Sequence, residues 1–172
     1  MTDAIDYPRI PSGYRLESVW GDKSRVLAEQ IVSFWLEHKA LPSRGHALAR
    51  LSQAVYLVRD ESSRIVALST AYQKEHPRFG LTFFYFRCFV APDHRRAGLA
   101  RVLVVEVTRL LERRHAEGHD PHVVGVFVEL QNQDVQRTMN QTVWPYVPMV
   151  YVGRGQGGVH ERVYYFPGTR LR

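Results

Sequence analysis

The stretch Arg95-Arg96-Ala97-Gly98-Leu99-Ala100 has the composition of an anion cradle. A glycine lets the backbone approach a ligand closely, and a small residue two positions on does the same. Where such a turn opens a helix, the first N–H groups point outward unpaired and the helix dipole favours negative charge. Arg95 and Arg96 add permanently charged, forked donors. The chemistry these residue types suit is the holding of a diphosphate. The same six letters also suit a tight strand-to-helix turn with solvated arginines, so the flanking elements decide.

Upstream of the turn, Leu81–Val90 is a β-prone run rich in Phe and Tyr that stops at Ala91-Pro92. Downstream, residues 98–116 read as a helix with Val102, Leu103, Val105, Glu106, Val107, Leu110 and Leu111 on one side. Arg101, Arg109, Glu112, Arg113 and Arg114 lie on the other. Val123–Leu130 then reads as a strand buried on both faces. A strand, a long helix and another strand imply one right-handed parallel crossover.

The rest of the chain frames this unit. Residues 14–20 alternate as a strand, and Asp22 or Ser24 is placed to cap the helix that follows. Val26, Leu27, Gln30, Ile31, Phe34 and Trp35 form its stripe, and Pro42 is expected to end it. Residues 45–51 read as a short second helix. Residues 54–60 and 64–72 read as a hairpin about Asp60-Glu61-Ser62-Ser63. Residues 134–143 carry a weak helical stripe, and 148–153 and 160–166 read as strands around a glycine loop. The order β-α-α-β-β-β-α-β-α-β-β predicts an α/β fold. It is a mixed, mostly antiparallel sheet of about six to seven strands, with helices on both faces and a central β-α-β crossover. The 172 residues suit a single domain spanning 1–172, with 1–12 an irregular N-terminal segment.

In this setting the chain resembles the GNAT superfamily of N-acetyltransferases. The superfamily's Gln/Arg-x-x-Gly-x-Gly/Ala signature, after a strand with Val-x-Pro, matches Arg95, Gly98 and Ala100, with Val90 and Pro92 upstream. Element order extends the resemblance over 14–166; its specific part is 90–132. The resemblance implies an acyl-CoA-dependent N-acyltransferase that moves an acetyl group from acetyl-CoA to a primary amine by direct attack. It implies that backbone groups of Cys88, Phe89 and Val90 pair with the pantetheine arm. The diphosphate would rest on the amides of Arg95, Arg96, Ala97, Gly98, Leu99, Ala100 and Arg101, and Asn132 would contact pantetheine.

Two departures from the family pattern bear on catalysis. The Tyr that often follows the Asn by seven or eight positions, as the acid for the leaving thiolate, is replaced here by Met139 and Asn140. Tyr146 can substitute if the chain between Val143 and Pro148 folds back. The Glu often found before Val-x-Pro is also missing, because that strand is Phe83-Phe84-Tyr85-Phe86-Arg87-Cys88-Phe89. Glu129, a charge ending an apolar strand, is the leading base. Its alternative is an exposed strand end or a salt bridge with Arg87. Tyr85, His76 and a relayed water are further bases. Arg87 suits either an acidic part of the substrate or an ordinary solvent-facing position.

The remaining signals narrow the classes. Net charge is +6, from 23 Lys+Arg against 17 Asp+Glu, which suits any polyanion, whether nucleic acid, phosphorylated cofactor or acidic substrate. Two other functions are therefore carried alongside: a catalytically silent CoA-binding module, and an RNA-associated protein of the same fold. No nucleic-acid motif supports the second. The acceptor class is a small-molecule or peptide amine, and a homodimer is a further expectation from the family. A polar, acidic start, no membrane-length apolar run and a single cysteine, Cys88, predict a cytoplasmic protein with no membrane partner. Gly153-Arg154-Gly155-Gln156-Gly157-Gly158 formally matches G-x-G-x-x-G, but a strand follows it, so it reads as a hairpin loop bordering the substrate. His115, His119 and His122 lack metal-ligand spacing, and no metal is expected. Cys88 reads as a small buried residue, not a nucleophile.

Overall fold

The structure is a computed structural model that describes residues 7–21 and 23–170. The expectations for the first six residues and for Asp22 as a cap lie outside the described residues. Strands β1 (Arg15–Ser18), β2 (Ala54–Arg59), β3 (Ile65–His76), β4 (Leu81–Val90), β5 (Val123–Leu130), β6 (Val150–Arg154) and β7 (His160–Tyr165) form a sheet in the order β1-β2-β3-β4-β5-β7-β6. Helices α1 (Arg25–Glu37), α2 (Arg44–Leu51), α3 (Leu99–Ala116) and α4 (Gln133–Thr138) complete the chain. The fold is α/β, with an open, mostly antiparallel sheet in which β4 and β5 pair in parallel, the predicted crossover through α3. Among the described residues no helix is long and apolar enough to cross a membrane.

Among the described residues, contacts form two compact units, one within 8–71 and 88–107, the other Tyr7 with 72–87 and 108–170. In the first unit, Ser24 caps α1 by accepting from the Leu27 amide, and Ser43 caps α2 in the same way from His46. Each cap satisfies one orphan N–H. Ile31, Phe34 and Trp35 of α1 bury against Leu57 and Leu68 of the β2–β3 pair. Val32 joins them, whereas Val26 stays 70% exposed, so the stripe is rotated from the expected one. Helix α1 ends at Glu37, five residues before Pro42. The break is Lys39, whose φ of 53° leaves the helical region and turns the chain before the proline is reached.

In the second unit, β5 pairs with β4 on one side and with β7 on the other, and β6 closes the edge against β7. Phe83, Tyr85, Phe127 and Val163 form its core. β5 is buried from Val123 to Val128 on both faces, as its unbroken apolar run requires. Gly125 sits there because a side chain would collide with the Tyr164 backbone on β7. β3 runs four residues beyond its expected end, to His76, because Tyr72 packs on Tyr85 and Lys74 and His76 lie over the same ring. α4 stops at Thr138, five residues short of expectation: the Thr138 hydroxyl bonds back to the Asp134 carbonyl and Met139 leaves helical geometry. β6 begins at Val150, where the expected strand began at Pro148.

Candidate active site

The glycine turn is built from one end of β4. The Ala91 amide bonds the Val66 carbonyl at 2.8 Å, and Pro92 then opens a turn of 3-10 helix through Ala97. Pro has no N–H to satisfy and its fixed φ suits a helical start. Gly98 follows in the left-handed region, φ 75° and ψ 11°, and its carbonyl accepts the first bonds of α3, from Arg101 at 3.1 Å and Val102 at 3.3 Å. The amides of Leu99 and Ala100 therefore precede the helical ladder. Leu99, 1% exposed, pins the helix start into the core. Arg95, Arg96, Ala100 and Arg101 are exposed around it. A Cβ placed on Gly98 would meet nothing within 4 Å, so the turn opens onto free space. An anion has room to sit against these amides, and the residues present fit a diphosphate.

Two contacts brace the turn. His94 Nδ1 and the Tyr14 hydroxyl share a hydrogen bond of 2.9 Å, and Arg95 Nε donates to the Val90 carbonyl at 3.4 Å. The Tyr14–His94 link joins residues 80 apart, and no local pattern announces it. Phe89 packs edge-on against Phe34 with centroids 5.8 Å apart. Burial pushes the Cys88 thiol up to about 12, so it stays protonated at neutral pH and is no nucleophile.

The second unit holds the candidate acid and base. The β4–β5 ladder runs from Thr82↔Val123 to Phe86↔Val128, while β4 continues to Val90 and β5 to Leu130. The next residues along are Arg87 and Glu129. Arg87 is half-buried and donates to the Tyr72 hydroxyl at 2.8 Å, its guanidinium 5.0 Å from the Tyr72 ring centre, so it is no ordinary solvent-facing residue. Glu129 is half-buried. Among the described residues its carboxylate has no hydrogen bond or ion pair, and the expected alternative of a salt bridge with Arg87 is not formed. Tyr85 is 3% exposed; burial first, then the charge of Glu129, pushes its hydroxyl up to about 12.

Beside Tyr85 lies a cluster that the sequence does not announce. His76 is 5% exposed and stacks on Phe79 and Phe127, with centroids 4.4 and 4.6 Å away. Its Nδ1 accepts from the Arg78 amide, and its Nε2 lies 3.8 Å from Glu161. Glu161 is itself buried and held at 2.7 Å by Arg78. A side chain on Gly155 would collide with Glu161, which accounts for one glycine of the Gly153–Gly158 loop by space alone. His76 is thus a packed, partnered residue and not an open base. No local signal marks Glu161, which stands between His160 and Arg162 at the polar start of β7.

Asn132 is the N-cap of α4, its Oδ1 accepting from Asp134 at 2.8 Å and Val135 at 3.3 Å. That leaves its Nδ2 amide as the group able to reach a ligand. The chain after α4 does fold back. Val143 bridges Val150, the Trp144 amide bonds the Met149 carbonyl at 3.1 Å, and Tyr146 lies half-buried at the tip. Arg162, 1% exposed, fixes this segment. It donates to the carbonyls of Met139 at 3.1 Å and Thr142 at 3.5 Å and stacks 4.6 Å from the Trp144 ring.

The model of the Acetyltransferase (GNAT) family matches residues 23–139. That is more than half of the chain, and the chain belongs to this family. Its solved structural neighbours agree in fold. A GNAT-family acetyltransferase from Streptococcus pneumoniae, 11% identical, aligns over 89% of this chain and 99% of its own, with a TM-score of 0.58. A mutant AtaT toxin bound to the C-terminus of the antitoxin AtaR and acetyl-CoA, 9% identical, aligns over 90% and 94%, with a TM-score of 0.53. The KacTA–DNA complex, 11% identical, aligns over 89% and 93%, with a TM-score of 0.52. At these identities the likeness is one of fold. Among curated proteins none matches the chain.

Proposed function

We propose that this chain transfers an acetyl group from acetyl-CoA to a primary amine by direct attack. The observation that carries the reading is Gly98, left-handed and open to free space, between an arginine-bearing turn and the first amides of an 18-residue helix. In this reading the Leu99 and Ala100 amides at the start of α3 hold the diphosphate, with Arg95 and Arg96 adding charge. Backbone groups of Cys88, Phe89 and Val90, beyond the end of the β4–β5 ladder, pair with the pantetheine arm. The Nδ2 amide of Asn132 adds a donor to it.

The chain's own groups then handle the protons. Glu129 takes a proton from the substrate ammonium, since among the described residues no cation competes for its carboxylate. The neutral amine forms a C–N bond to the acetyl carbon as the C–S bond breaks. The Tyr146 hydroxyl protonates the departing thiolate, giving free CoA, and the proton shed by the new amide nitrogen restores the phenol. Holding the two reactants in line supplies much of the rate. Calorimetric titration with acetyl-CoA, paired with a thiol-release screen over a broad amine panel, tests this. Absence of binding at millimolar ligand removes the whole reading. Binding without thiol release across the panel replaces transfer with a silent CoA-binding role.

A further inference from the structure

The sheet face of the second unit carries charges in an arrangement that structural packing does not require. Tyr85 and Arg87 alternate onto one face of β4, and Phe127 and Glu129 onto the same face of β5, as the 4.7 Å contact of Tyr85 with Phe127 shows. Tyr72 and Lys74 join them from β3, the first 5.5 Å from the Tyr85 ring and the second with its ammonium 5.1 Å above it. Continuing the ladder by one register would set Arg87 opposite Glu129. An opposite-charge pair in that position normally closes on itself.

Here it does not. Arg87 is turned to the neutral hydroxyl and ring of Tyr72, and Lys74 rests on an aromatic ring; neither has a carboxylate partner among the described residues. Among the described residues Glu129 has no cation partner either. The nearby carboxylate, Glu161, is already taken by Arg78 at 2.7 Å. Lys74 is exposed, but Arg87 and Glu129 are half-buried, and half-buried charges without an ionic partner are costly to hold in a folded protein unless something else pairs with them. A guanidinium offers paired donors matched to a planar or tetrahedral oxyanion, and a carboxylate offers acceptors for an ammonium.

We infer that the acceptor amine carries its own anionic group, with Arg87, seconded by Lys74, binding that group while Glu129 receives the ammonium. The acceptor class is a small zwitterion, the simplest being a free α-amino acid. The same oxyanion chemistry is met by an amine bearing a phosphate. Tyr72 is a positioning residue, since its hydroxyl aims Arg87 away from Glu129 and keeps the two charges available. This inference rests on the reading of Glu129 as the group that meets the acceptor amine.

The test combines acceptor binding by equilibrium dialysis on the CoA-loaded full chain with thiol-release kinetics. The acceptors are free α-amino acids, their carboxamides and O-phosphoethanolamine. Free amino acids should exceed their carboxamides in kcat/KM by roughly 10- to 100-fold, mostly through KM, the worth of one charged hydrogen-bonded contact. Arg87→Gln should collapse that ratio toward one and Arg87→Lys should keep part of it. Tyr72→Phe should lower it without loss of acetyl-CoA binding, and serves if Arg87→Gln does not fold. Preference for O-phosphoethanolamine over every amino acid identifies the anion as phosphate and supports the inference equally. Equal use of acids and amides, or a ratio untouched by Arg87→Gln, overturns it while leaving acetyl transfer standing. Arg87-dependent binding with no thiol released leaves it standing and removes the transfer reading.

Discussion

Replacing Gly98 by Trp separates backbone strain from lost ligand contact. Gly98 has φ 75°, and a left-handed side-chain-bearing residue costs roughly 1–2 kcal/mol. A Cβ there meets nothing within 4 Å, so no collision adds to that cost. Gly80, in the β3–β4 turn, has φ 61° and equally open space, so Gly80→Trp pays the same strain far along the chain. Both variants should therefore lose about 2–8 °C of melting temperature for a chain of this size. Only Gly98→Trp fills the space before the Leu99 and Ala100 amides. Each charge-assisted bond from an amide to a phosphate oxygen is worth about 1.5–3 kcal/mol, so loss of two costs more than about 100-fold in affinity. Thermal melts and acetyl-CoA calorimetry on the two variants measure both quantities. Acetyl-CoA affinity equal in the two, at equal melting temperature, would refute the assignment of the turn as the diphosphate cradle.

Glu129→Gln should lower the rate of thiol release by about 10²- to 10⁴-fold, the span of general base catalysis, with acetyl-CoA affinity retained in calorimetry. Gly125→Ala should destabilise the fold by about 1–3 kcal/mol in denaturant melts, because the added methyl collides with the Tyr164 backbone on the paired strand. The Cys88 thiol, raised by burial from 9.0 to about 12, contributes stability that is complete below pH 9 and is lost as pH rises toward 12. Over that window the unfolded chain releases its proton while the folded chain cannot. Melts across this range should show that loss, and Cys88→Ala should flatten it; an unchanged profile would mean that other groups carry the alkaline transition.

The elements whose limits were readable are those with one dominant pattern. Leu81–Val90 and Val123–Leu130 appear with the same limits in sequence and structure, since an apolar run closed by Ala91-Pro92 or by polar Gln131 leaves little choice. Where the outcome depends on a single residue's local geometry, the sequence misleads. Pro42 looked like the end of α1, but Lys39 had already turned the chain. The weak stripe after Asn132 looked long because Val135 and Met139 are helically spaced, yet no buried face formed to sustain it. The glycine turn proposed to hold a diphosphate was legible as a turn because its residues are consecutive. The cluster of buried His76 and Glu161 with exposed Arg78 was not, because the Arg78–Glu161 pair spans 83 positions and no local spacing encodes it. That Glu129 is left unpaired is likewise visible only in three dimensions. The sequence places Arg87 and Glu129 on neighbouring strands but does not show that Arg87 turns toward Tyr72.

The burial of Arg162 has a consequence for the order in which the protein is made. Met139 leaves the ribosome 23 residues before the guanidinium that ties down its carbonyl, and Thr142 leaves 20 residues before. Trp144, which stacks on the same group, also waits for it. Until β7 emerges and pairs, the stretch bearing Tyr146, the proposed proton donor, lacks its main anchor, while the turn proposed to hold the diphosphate is already synthesised. Nonsense or frameshift lesions between positions 147 and 162 should leave a chain that keeps Tyr146 but lacks the guanidinium that anchors its segment.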